Sequence, residues 1–158
     1  MMRRFCIAII GGALLSGAAA HAAMGRIPLD VLAANAEVIA HGRVKSVTTP
    51  EAVVETRSPQ TKEIDVALWN IAEFTVDALI KGPVALRSLL IEFRGANEDG
   101  PDYRPGEEAV VFLQRIDGKE AYRTVGMLQG KYLVQGEIVV RENVSTEDFS
   151  WVIRALVE

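Results

Sequence analysis

The sequence is poorest in the residues that most often carry chemistry. Its 158 residues include one cysteine, Cys6, and two histidines, His21 and His41. A single cysteine excludes an internal disulfide and a zinc site built from several thiolates. A histidine-based catalytic triad or a two-histidine metal site would need almost every imidazole in the chain. We therefore expect neither a metal nor another cofactor.

The start of the chain has the pattern of a secretory signal peptide over residues 1–22. The first four residues carry two arginines, residues 5–20 are apolar, and Ala20-His21-Ala22 supplies small residues before a cleavage site at Ala23. The apolar run contains glycine and serine and is shorter than the about 20 residues that span a bilayer. We expect a periplasmic or secreted protein with no stable membrane insertion after cleavage.

Cleavage would leave residues 23–158, a length typical of one domain. It would remove Cys6 and His21, so that His41 remains as the one imidazole. The remaining 15 basic and 21 acidic residues give a net charge of −6. This acidity disfavours nucleic acid as a partner, because phosphate binding needs basic surfaces.

Apolar alternation predicts a mainly β domain. Strands are expected over residues 38–47, 66–81, 88–94 and 109–113, with shorter ones at 121–125, 131–134 and 138–140. Most apolar residues of 66–81 share one parity, which predicts a single buried face: Val66, Leu68, Ala72, Phe74, Val76, Ala78 and Ile80. Residues 109–113 are apolar on both parities, as in a central strand. Residues 48–63 are expected to form an exposed connection with a short pair around Val53 and Val54.

Helices are predicted at both ends of this domain. The first spans residues 27–35, with Pro28 at its first position, and the second begins at Ser145 or Thr146. The apolar face of the second helix is predicted to hold Phe149, Val152, Ile153 and Leu156. The expected fold is a small OB-like antiparallel barrel of five or six strands with a short N-terminal helix and a C-terminal helix, since closure removes exposed strand edges.

A segment of about residues 35–112 resembles the netrin-like OB barrel of the tissue inhibitors of metalloproteinases. The resemblance lies in AEVIAHGRV at 36–44, LIKGP at 79–83 and LIEF at 90–93. It implies the barrel but not protease inhibition, because residues 23–158 lack the family's zinc-chelating N-terminal cysteine and its disulfides. GEE at 106–108, before the core strand, is also similar to small exported bacterial proteins of this barrel type, whose fold alone assigns no function.

Trp69 and Ile71 interrupt the polar parity of the longest strand, and Trp151 lies beside the apolar face of the last helix. Exposed apolar residues of this kind are typical of a surface for a protein or envelope partner. The favoured interpretation, however, is that the opening or closing helix covers Trp69 and Ile71, and Trp151 could pack on the same patch. Arg43, Lys45, Arg94 and Arg104 are too scattered to predict a groove for an acidic ligand.

Two further groups are candidates for chemistry. The loop residues Asn97, Glu98, Asp99 and Asp102 offer oxygens for a calcium ion, although a solvated acidic loop is favoured because the spacing does not fit a helix-loop-helix site. His41 could act as a general base. The favoured interpretation is that it is a strand residue whose ring is hydrogen-bonded. We expect a non-enzymatic exported binding module. The alternative is a periplasmic carboxylate-based hydrolase using Glu98 and Asp102.

Overall fold

The computed structural model describes residues 25–49, 53–56, 64–67, 69–94 and 100–158. The predicted signal peptide lies outside these residues. The helices and strands in chain order are α1 (Leu29–Asn35), β1 (Val38–Thr48), β2 (Val53–Thr56), β3 (Ile64–Ala67), β4 (Trp69–Lys81), β5 (Ser88–Arg94), β6 (Glu108–Arg115), β7 (Tyr122–Thr124), β8 (Lys131–Gln135), β9 (Ile138–Val139), β10 (Val144–Ser145) and α2 (Thr146–Val157). None of the helices in the described ranges has the length and apolar content needed to cross a membrane.

Five strands close into a barrel in the order β1-β4-β5-β7-β6, and β6 pairs back onto β1. The predicted OB-like barrel with two helices is thereby confirmed. The closure includes one parallel contact, Ile91 with Tyr122 between β5 and β7, whereas the other ladders are antiparallel. Strands β8, β9 and β10 extend the sheet beyond β6, and β2 pairs with β3 at the predicted Val53 and Val54.

The protein has two apolar cores that share the walls β1 and β6. Ala109, Val111 and Leu113 of β6 face the barrel interior, where they join inward residues of β1, β4 and β5. Val110 and Phe112 face the opposite way and pack with residues of α1, α2, β8 and β9. The double-sided burial of β6 confirms its prediction as a central strand.

The single-parity prediction for the longest strand is wrong near its end. Val76 lies in the barrel core, but Leu79 also packs there and Ile80 packs in the second core. The cause is a shift in register: His41 of β1 pairs with Ala78, whereas Gly42 pairs with Val76. The extra residue between these pairs forms a β-bulge, which exchanges the inward and outward parities.

Gly42 lies at this irregularity because β1 and β4 approach closely there. A Cβ at position 42 would lie 2.0 Å from the carbonyl oxygen of Thr75 and 2.8 Å from a ring carbon of Phe74. Backbone oxygen cannot move away as a flexible side chain can. The absence of a side chain at Gly42 therefore permits the close approach of β1 and β4 at the bulge.

The two helices cover one side of the barrel. Ser145 caps α2, its Oγ accepting a hydrogen bond from the Asp148 backbone N–H at 3.0 Å. Phe149 and Ile153 of α2 are buried in the second core. The prediction was wrong for Val152 and Leu156, which are exposed. Phe149, Ile153 and Val157 form the stripe of α2 that packs in the second core. The other apolar residues of α2 lie outside this stripe and face outward.

We expect Gly42→Ala to lower the free energy of unfolding by about 3 kcal/mol, because the added methyl overlaps a backbone carbonyl. Urea unfolding followed by circular dichroism measures the change. Gly100→Ala is the matched control, since the nearest atom to its added Cβ would lie 4.0 Å away. Equal stability of the two variants would contradict the close packing of β1 against β4.

Candidate functional site

Trp69 and Ile71 lie on the outer face of the barrel, at the beginning of β4. Both are partly exposed, and they pair with Arg94 and Glu92 of β5. The Arg94 guanidinium carbon lies 4.7 Å from the centre of the Trp69 ring, within cation–π range. Leu90 of β5, which is 42% exposed, lies diagonally across from Ile71 on the same face. We call Trp69, Ile71 and Leu90 the apolar diagonal.

Charged side chains surround the apolar diagonal. Lys45 Nζ lies 2.7 Å from Glu73 Oε1, and Lys119 Nζ lies 2.8 Å and 3.0 Å from the two oxygens of Glu92. An apolar centre with a charged rim is the usual anatomy of a protein-binding surface. Sequence analysis found Trp69 and Ile71 but missed Leu90, because its contact with them depends on the register of β5.

Trp151 belongs to a different surface. It is 69% exposed on the outer side of α2. The contacts of α2 with β4 lie at Ala78 and Ile80, near the other end of the strand from Trp69. At about 3.3 Å per residue, Trp69 and Ala78 are separated by about 30 Å along β4. The structure does not bring the two tryptophans together.

A groove of about 420 Å³ separates α2 from β1 and β6. Within it, Glu108 of β6 holds His41 of β1: His41 Nε2 lies 2.8 Å from Glu108 Oε1, and Arg43 Nη2 lies 2.8 Å from Oε2. The His41 ring is therefore hydrogen-bonded, as the sequence favoured. The groove is lined by His41, Ala78, Glu108, Glu137, Ser145, Thr146, Glu147, Ser150 and Arg154.

The chemistry of this groove depends on what His41 contacts. Ser150, a residue only 9% exposed, also lines this groove. Activation of a hydroxyl nucleophile requires a hydrogen bond to its base. Within the described residues, the His41 side chain is hydrogen-bonded to Glu108 and to no hydroxyl. Among the described residues, the contacts in this groove thus pair His41 and Arg43 with the Glu108 carboxylate.

The predicted acidic loop is described only in part. Asn97, Glu98 and Asp99 lie outside the described residues, so the calcium-site and hydrolase predictions stay predictions. The Asp102 carboxylate accepts a hydrogen bond from Arg104 Nε at 2.9 Å, and its backbone carbonyl accepts one from Lys131 Nζ. The described residues contain no group of three or more His, Cys, Asp or Glu side chains arranged to hold a metal ion.

Lys131 fastens this loop to β8. Its side chain is only 8% exposed, forms an ion pair with Glu107, and lies over the Tyr103 ring with Nζ 4.5 Å from the ring centre. Burial raises the pKa of Tyr103, whose hydroxyl is hydrogen-bonded to Thr124 Oγ1 at 2.6 Å. A buried lysine with these partners is a structural anchor.

The four scattered cations do not form one groove. Arg43 pairs with Glu108, Lys45 with Glu73 and Arg104 with Asp102, while Arg94 stacks on Trp69. Each is thus directed to a different partner.

No protein-family model matches the chain, and a search of curated proteins gives no match. The candidate surfaces are therefore interpreted from their own geometry and from the OB-like strand order.

The hydrogen bond from Lys45 lowers the pKa of Glu73. A lowered carboxyl pKa contributes stability above the unfolded-state pKa, and this contribution is lost as the pH falls through the folded-state value. We expect Lys45→Met to raise the pKa of Glu73 toward its ordinary value, as measured by carbon-detected NMR titration of the side-chain carboxyl. Lys119→Met, which removes the partner of Glu92, is expected to leave the Glu73 titration unchanged. An identical response to both substitutions would contradict the specific pairing.

Proposed function

We propose that the chain is an exported, non-enzymatic binding module of the bacterial envelope, and that the outer face of β4 and β5 holds a protein or envelope component. The observation that carries this proposal is the apolar diagonal of Trp69, Ile71 and Leu90 inside a rim of ion pairs. Tryptophan and arginine are enriched among the residues that dominate binding energies, and here Trp69 and Arg94 form one unit.

The place of this face in the fold supports the proposal. β4 and β5 follow β1 in the closed order of the barrel, which makes them the second and third barrel strands. In OB folds, the faces of these two strands are a common ligand-binding surface. This support is an analogy of fold, so the chemistry of the partner must come from the residues themselves. Here they favour a partner with an apolar patch and charges of both signs.

The netrin-like kinship is a further part of the proposal. It is supported by the barrel order and by the turn at Lys81-Gly82-Pro83, where Gly82 has a φ of +124°. Such a backbone conformation favours glycine strongly. Protease inhibition is not part of the proposal, because residues 23–158 contain no cysteine to chelate the protease zinc.

The binding face is tested by cross-linked capture of envelope components with the tagged protein, produced from the full-length gene. We expect Leu90→Arg to reduce the captured component by about tenfold, because a charge enters the apolar centre. Val84→Arg is the matched control: Val84 is 87% exposed in the β4–β5 turn, remote from Trp69. Equal capture by both variants, or none by the parent protein in several growth states, would contradict the proposal. Turnover of an ester, peptide or glycoside by the pure protein would contradict its non-enzymatic part.

Export is tested separately by N-terminal sequencing of the protein recovered from the envelope and the medium. We expect the sequence to begin at Ala23, because cleavage follows the small residues Ala20-His21-Ala22. A recovered protein that begins at Met1 or Met2 and retains Cys6 would contradict signal cleavage. The comparison of captured components between Leu90→Arg and Val84→Arg does not depend on where the N-terminus is cleaved. Either prediction can therefore be contradicted without affecting the other.

A further inference from the structure

The first described residues of the chain are fastened by a side chain far along the sequence. Gln129 belongs to a short 3₁₀ turn at Met127–Gly130. Its side-chain Oε1 accepts a hydrogen bond from the Ile27 backbone N–H at 2.6 Å, and its Nε2 donates one to the Gly25 carbonyl oxygen at 3.1 Å. One amide side chain thus pairs with the backbone on both sides of Arg26, as a neighbouring strand would.

Charge and packing reinforce this contact. Arg26 Nη2 lies 2.5 Å and 2.7 Å from the two carboxylate oxygens of Glu142. The Ile27 side chain packs against the second core, and a Cβ at Gly126 would lie 2.9 Å from its Cδ1. The glycine therefore leaves room for this side chain. We call these contacts, together with the two Gln129 hydrogen bonds, the N-terminal clamp.

The N-terminal clamp lies almost next to the predicted signal-cleavage bond. That bond joins Ala22 to Ala23, outside the described residues, and only Ala23 and Met24 separate it from Gly25. Two residues span at most about 7 Å even when fully extended. A protease holds its substrate as an extended chain on both sides of the bond that it cuts. Within that distance, the folded domain and the enzyme compete for the same stretch of chain.

We propose that the N-terminal clamp sets the order of export: signal peptidase cuts after Ala22 before residues 25–27 dock, and a precursor whose clamp forms first is cleaved slowly. The proposal rests on the signal cleavage included in the proposed function. In a folded precursor the bond is cut only while the clamp is open, so the cleavage rate follows the fraction of open molecules. Each contact of the clamp lowers that fraction.

Cleavage of the folded full-length precursor by purified bacterial signal peptidase in detergent micelles tests the proposal. We expect Gln129→Ala to speed cleavage by about tenfold, because two hydrogen bonds are lost. Glu142→Gln is expected to speed it by about threefold, because it removes the charge opposite Arg26. Gln135→Ala is the matched control, since Gln135 is exposed at the end of β8. These substitutions are remote in sequence from the bond, so the residues that the enzyme reads are unchanged. Circular dichroism confirms that each variant keeps its fold.

A longer connection separates obstruction by the folded domain from other causes of slow cleavage. Inserting about eight Gly and Ser residues between Met24 and Gly25 leaves the clamp in place but adds up to about 26 Å of chain. We expect this precursor to be cleaved about tenfold faster than the parent and to be insensitive to Gln129→Ala. Equal rates for the parent and the lengthened precursor overturn the proposal. So do equal rates for Gln129→Ala and Gln135→Ala.

Hydrogen exchange of the Ile27 amide measures the N-terminal clamp without the protease. We expect this amide to exchange about tenfold faster in the Gln129→Ala precursor than in the parent, because its N–H loses its acceptor. Equal exchange in the two proteins overturns the clamp while leaving signal cleavage unaffected. A lengthened precursor that is never cut after Ala22 contradicts signal cleavage itself, and the proposal with it.

Discussion

The rest of the structure depends on β1 being paired along both of its edges. It pairs with β4 on one side and β6 on the other, and this closes the barrel. At Gly42 the absence of a Cβ lets β1 approach β4 closely while its other edge pairs with β6. An open sheet with the same strands would leave the backbone groups of β1 or β6 unpaired and would expose part of an apolar strand.

Closure also decides which outer faces need a cover. The outward residues of β6, Val110 and Phe112, are too apolar for solvent, so α1, α2 and the β8–β9 ladder pack over them. Tyr132 of β8 joins Phe112 to Phe149 of α2, with ring centres 5.5 Å and 4.8 Å away. The outward residues of β4 and β5 mix charged and apolar side chains and keep solvent access. The outer face of β4 and β5 therefore stays accessible, whereas the outward residues of β6 are covered.

The sequence was informative where a structural signal is local. Period-two alternation predicted the main strands, and apolar residues on both parities predicted the central position of β6. A bulge beside Gly42 agrees with the missing side chain there, but the position of the extra residue in β4 was not predictable, because it depends on the pairing of β4 with β1. The division of α2 into a buried and an exposed apolar stripe likewise depends on how the helix docks. His41 and Glu108 are 67 residues apart in sequence, and only the β1–β6 ladder brings them together.

The distribution of charge explains why apolar residues dominate the proposed surface of β4 and β5. Around the barrel, Arg43, Lys45 and Lys119 are each held by a carboxylate of a neighbouring strand or turn. Such exposed pairs contribute little stability, typically below about 1 kcal/mol each, and they reduce the charge available to attract a partner. Binding energy must then come from removing apolar area from water, while the remaining charges select orientation. The β4–β5 face satisfies this with Trp69 stacked under Arg94.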